Sequence, residues 1–136
     1  LGEFADALRA EIERDETPTC MIAGADLSHV GRFFQDERDL SEDHLAEVER
    51  LDREALAFVQ RGDFEGFRAA VASRGNDTNI CSVGCIYVLS RALSGVGGPA
   101  LLGYHQALTR EEENCVTSAA MEWVAPASTS GRRTPG

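Results

Sequence analysis

The chain has 136 residues, 43% of them hydrophobic, with 23 acidic against 13 basic side chains and four cysteines. A domain of this size buries roughly two thirds of its unfolded surface, so one apolar core is expected and neither disulfides nor metal are needed as staples. All 13 basic residues are arginine, which excludes P-loop, Schiff-base and every other lysine-dependent chemistry. The net charge of −10 is concentrated early: residues 1–66 carry 18 acids and 7 arginines, residues 67–136 carry 5 and 6. Without a basic surface, nucleic acid and anionic membranes are not expected partners. No apolar run reaches the roughly 18 residues of a membrane span. The expected location is cytoplasmic, with the cysteines as reduced thiols. The chain opens at Leu1 without an initiator methionine, as expected of a processed product or a piece of a longer protein.

In chain order, Leu1, Phe4, Leu8 and Ile12 recur at helical spacing and predict an amphipathic helix to about Arg14. After a turn at Asp15–Pro18, the apolar run Thr19–Ala25 predicts a strand covered on both faces. The mixed segment Asp26–Leu40 reads as a long functional loop. Ser41 fits a helix N-cap, with Leu40 and Leu45 at the staple positions and Leu45, Val48, Leu51, Ala55, Phe58 and Val59 on one face. Arg61-Gly62 ends that helix. Asp63 then caps a second one, with Phe64, Phe67, Ala70 and Val71 as its buried stripe, and the two form an αα-hairpin. Cys85–Leu93 keeps the helical period. Ala100–Leu108 and Cys115–Val124 predict an antiparallel hairpin around Glu111-Glu112-Glu113. Residues 125–136, rich in Ser, Thr, Gly and Pro, are expected to be disordered. The expected class is α/β, a layered sheet with flanking helices, an αα-hairpin and a C-terminal β-hairpin.

Two constellations carry candidate chemistry. Asp26-Leu27-Ser28-His29 places a carboxylate three residues before an imidazole at a predicted strand-to-loop junction, where ligands of open α/β sheets bind. There Asp26 either orients His29 for proton transfer or joins it on a metal. The bland alternative is a turn that bonds to itself beside a satisfied histidine. In Asn79-Ile80-Cys81-Ser82-Val83-Gly84-Cys85, a thiol before a helix N-terminus has its thiolate favoured, as nucleophile or soft metal ligand. Two thiols four apart do not make a closed zinc site, and both also read as small buried hydrophobes. Cys20, Cys115, His44 and His105 are taken as structural.

Taken together, Ala25-Asp26-Leu27-Ser28-His29-Val30-Gly31-Arg32, Leu51-Asp52-Arg53-Glu54-Ala55-Leu56, Ile80-Cys81 with Ile86-Tyr87, and Leu101-Leu102-Gly103-Tyr104 come in the order and at the spacing of the Memo-like proteins, also called AmmeMemoRadiSam system protein B. The chain resembles this family from roughly Thr19 to Val124. The resemblance implies a fold shared with the metal-dependent extradiol ring-opening dioxygenases. It also implies a site in which Cys81 joins two histidines around a metal, with Asp26 and His29 lining the same pocket. Family members are about twice as long, and their metal-binding histidines lie in an N-terminal half that this chain lacks. Residues 1–124 are therefore expected to be the C-terminal half of a Memo-like fold, partnered by the missing half or by another copy. Iron(II) or copper suits such a His₂Cys set in the full-length parent, with no metal expected on this chain alone. The implied chemistry is oxidative, on a small aromatic or phenolic substrate; the alternative is a peptide- or partner-binding module with a vestigial site. The sequence departs from the family at Ser82, where glycine is usual, at Cys85, where proline is usual, and at Phe33-Phe34-Gln35, where arginine, phenylalanine and glycine are commoner.

Overall fold

A computed structural model describes residues 1–15, 17–111 and 113–124; the predicted disordered tail lies outside the described residues. Helix α1 (Gly2–Arg14) is followed by strand β1 (His29–Gly31), a 3-10 turn at Arg32–Phe34, and helices α2 (Glu42–Gln60), α3 (Phe64–Ser73) and α4 (Val83–Ala92). The long hairpin of β2 (Ala100–Thr109) and β3 (Asn114–Glu122) closes the order. The sheet runs β1-β3-β2, antiparallel throughout, with Val30 opposite Cys115 and Tyr104 opposite Ala119. The mixed α/β class with flanking helices is as expected from the sequence.

The helix punctuation agrees with the local chemistry. The Ser41 hydroxyl accepts from the His44 N–H, satisfying an orphan donor of the first turn of α2. Leu40 and Leu45 pack with Val48 against Val30 and Cys115, so the staple also docks α2 on the sheet. Asp63 caps α3 by accepting from the Gly66 N–H. The αα-hairpin buries Ala55, Val59, Phe67 and Val71 with Ile80, and Met121 and Trp123 from the end of the hairpin pack on that cluster. Arg91 of α4 ties down α1 through paired bonds of 2.8 and 2.6 Å to Asp6.

The predicted strand Thr19–Ala25 is not one. Those residues form no regular secondary structure and pair with no strand among the described residues, and Ile22 is 89% exposed. An apolar run signals that something covers it; a ladder also requires a neighbouring strand. Here the sheet edge is filled only from Leu27 onward, where the Leu27 N–H donates to the Thr117 carbonyl and the Thr117 N–H to the Ser28 carbonyl, each at 2.9 Å. Residues 19–25 instead form one wall of an apolar groove of about 550 Å³, whose other walls include Ile12, Leu56, Ile86, Leu89 and Trp123. The segment read as a loop from Asp26 contains β1 and the 3-10 turn.

Candidate functional site

The Asp26–Gly31 segment turns from the groove into the sheet, and hydrogen bonds fix it at nearly every residue. Gly31 has φ +103°, and a Cβ there would stand 2.2 Å from the Glu113 carbonyl oxygen, so only glycine lets β1 approach the β2–β3 turn this closely. Four residues on, Gln35 occupies the left-handed region at φ 64°, which accounts for the glycine commoner at that place in the resembling family.

His29 is held from both sides. Its N–H donates to the Thr78 carbonyl at 2.8 Å, and the Asn79 side-chain amide donates back to the His29 carbonyl at 3.3 Å. Nδ1 of the ring faces two carbonyl oxygens, Leu27 at 3.0 Å and Asn79 at 3.2 Å. A carbonyl only accepts, so Nδ1 carries the proton and Nε2 keeps the lone pair of the neutral ring. The side chain is 15% exposed and stacks edge-on against Phe34. Nε2 lies 3.9 Å from the Asp26 carboxylate, which is largely exposed. That is beyond hydrogen-bond reach, so Asp26 stands near the ring without orienting it through a hydrogen bond.

The loop that grips His29 also carries Cys81, two residues beyond Asn79. The thiol is exposed, directly before the Ser82 N-cap of α4, and lies 3.4 Å from the Ser82 hydroxyl. The two sequence constellations are thus brought together by the contacts of Thr78 and Asn79 with His29. Cys85, in the first turn of α4, and Cys20 are exposed as well, so the reading of these three thiols as buried hydrophobes fails. Cys115 is buried as expected; burial, reinforced by the charge of Asp52, pushes its thiol up. His105 lies exposed on β2. His44 is structural: its Nδ1 lies 3.1 Å from the Asp39 carbonyl and its Nε2 3.4 Å from Asp36.

Among the described residues no group of three or more His, Cys, Asp and Glu side chains stands close enough to hold a metal ion. Cys81, His29 and Asp26 do not by themselves fit a closed iron or copper centre, which takes three or four preorganised ligands.

One residue that sequence reasoning passed over lies directly beneath the site. Asp52 of α2 is fully buried, and its carboxylate accepts from the hydroxyls of Ser28 at 2.6 Å, Tyr104 at 2.8 Å and Thr117 at 2.5 Å. The Thr117 hydroxyl in turn accepts the Ser28 N–H at 2.8 Å. Burial and the Asp52 charge push the Tyr104 phenol well above its ordinary value. The signal was present: Asp52 shares a helical stripe with Val48, Ala55 and Val59, all buried.

A family model described as Memo-like protein matches residues 2–122. No curated protein and no solved structure matches the chain.

Proposed function

Because the chain belongs to the Memo-like family, we propose that it supplies the acid/base and thiolate part of a metal-dependent oxidative site. In this reading His29 exchanges a proton with substrate at Nε2, Asp26 stabilises the imidazolium that forms, and Cys81 is one soft ligand of iron or copper. The observation that carries the proposal is the pinned His29 ring. Two carbonyls fix its proton on Nδ1 and leave Nε2 as the basic atom, the arrangement a general base requires. A thiolate is a fitting donor for iron(II) or copper, and the remaining ligands come from outside the described residues, the part that the resemblance assigns to a preceding half or that a second copy provides. The substrate class is a small aromatic or phenolic molecule, by analogy with the dioxygenase fold alone.

The test is oxygen uptake by the intact gene product, purified without air and loaded with iron(II) or copper, against a panel of catechols and phenols. Uptake with at least one class, reduced on the order of 10²–10⁴-fold by His29→Ala, is the expected result. Absence of uptake across the panel, or full activity in His29→Ala, removes the proposal. A second reading, a binding module with a vestigial site, is favoured by the apolar groove that the 19–25 segment helps to wall. It takes over if Ile22→Asp abolishes binding of an apolar peptide while no oxidative activity is found.

A further inference from the structure

The fully buried carboxylate of Asp52 has no role in the proton exchange assigned to His29, yet three hydroxyls from three separate parts of the chain converge on it. A carboxylate taken out of water is retained only where its oxygens are satisfied by donors. Here the donors are Ser28 from the DLSH segment, directly before His29, Thr117 from β3, next to the Val116 that pairs with His29, and Tyr104 from β2, on the far side of β3. Ser28 is held twice, by its hydroxyl to Asp52 and by its N–H to the Thr117 hydroxyl, and Thr117 itself donates to Asp52. Ser28 lies between Leu27, whose carbonyl accepts from the His29 ring, and His29 itself.

We propose that Asp52 is a positioning residue for His29, acting through Ser28. By clamping the Ser28 side chain and the Thr117 hydroxyl that accepts the Ser28 N–H, Asp52 adds to the main-chain bonds from Thr117 and to Thr78 that hold the peptide units on either side of Ser28. The Leu27 carbonyl is thereby aimed at Nδ1, the ring is locked in the Nδ1–H tautomer, and Nε2 is kept free. Released from the clamp, the turn rotates its carbonyl away, the Asn79 carbonyl at 3.2 Å is left to hold Nδ1 without it, and the ring shifts part of the way toward the Nε2–H form that a free imidazole favours in water. The functional meaning of this clamp rests on the reading of His29 as an acid/base group. The clamp itself does not.

The tautomer of His29 is directly measurable by long-range ¹H–¹⁵N correlation on the labelled 136-residue chain, at a pH where imidazoles are neutral, with the signal assigned through His29→Gln. In the parent chain the Nδ1–H form is expected alone. Ser28→Ala and Asp52→Ala are expected to introduce a readily detected Nε2–H population, and Asp52→Asn, which keeps an acceptor oxygen, to restore most of the Nδ1–H form. Tyr104→Phe removes a donor to the same carboxylate but lies off the path to His29, so it leaves the tautomer unchanged. An unchanged tautomer in folded Ser28→Ala overturns the proposal, as does an Nε2–H ring in the parent chain or an equal shift in Tyr104→Phe. Should Asp52→Ala fail to fold, Ser28→Ala decides. The measurement needs neither metal nor substrate, so its outcome is separate from that of the oxidative assay.

Discussion

Replacing Asp52 by alanine deletes a carboxylate that is entirely inaccessible to water and accepts three hydroxyl bonds. Ser28 and Thr117 are fully buried, whereas Tyr104 is partly exposed and can turn its hydroxyl to water. Two fully buried donors left without acceptors cost about 1–3 kcal/mol each. Relief of the carboxylate's own desolvation returns part of this, so a net loss of about 2–4 kcal/mol is expected, the hydroxyls left behind being neutral. For a chain of this length that corresponds to a fall in Tm of about 7–16 °C. The assay is urea unfolding followed by far-UV circular dichroism, beside Glu54→Ala as control. Glu54 is an exposed residue of the same helix that, among the described residues, pairs with Arg50, and its loss is expected to change stability by less than about 0.5 kcal/mol. A loss below about 1 kcal/mol for Asp52→Ala, with an unchanged dependence on urea, would refute the network as a stabilising unit.

Three further outcomes follow from the packing and the backbone. Phe67→Ala, at a position with no exposure amid Ala55, Val59, Val71 and Ile80, is expected to cost about 3–5 kcal/mol by thermal or urea unfolding. Gln35→Gly relieves a left-handed residue at φ 64° and is expected to stabilise the fold by up to about 1 kcal/mol, since the conformational penalty exceeds the entropy that glycine adds to the unfolded chain. The Tyr104 phenol is raised by burial and by Asp52, so folding favours its protonated form; that contribution is complete below about pH 10, where the unfolded phenol titrates, and declines as pH rises beyond it. Tm measured from pH 9 to 12 is therefore expected to fall more steeply in the parent chain than in Tyr104→Phe.

The helices were legible because their signals are local. Ser41 with Leu40 and Leu45, Asp63 before Phe64, and the 3.6-residue spacing of Val48, Ala55 and Val59 each act within one or two turns, and the structure agrees at each. The β2–β3 hairpin was legible for the same reason. Residues 19–25 were misread because apolar character reports burial potential, whereas a ladder needs a neighbour that the run does not encode. Strand β1 spans three residues, too few to show a period. Asp52, quoted only within a segment of the resemblance, was given no role because its three partners lie 24, 52 and 65 residues away in sequence, and from the helix alone it is only a charge on an apolar stripe. The segments carrying His29 and Cys81 stood out in the sequence and the structure places them side by side, but the carbonyls of Leu27 and Asn79 that face the ring are main-chain groups, which no side-chain pattern announces.

The central proposal, that Cys81 holds metal while His29 moves protons, is tested most directly by measuring metal content beside turnover in Cys81→Ser and His29→Ala of the intact gene product, purified without air. Cys81→Ser is expected to lose both, because a hydroxyl is a poor soft-metal donor. His29→Ala is expected to keep most of its metal while turnover falls on the order of 10²–10⁴-fold. Stoichiometric metal retained in Cys81→Ser, or metal lost in His29→Ala, would contradict that division of roles.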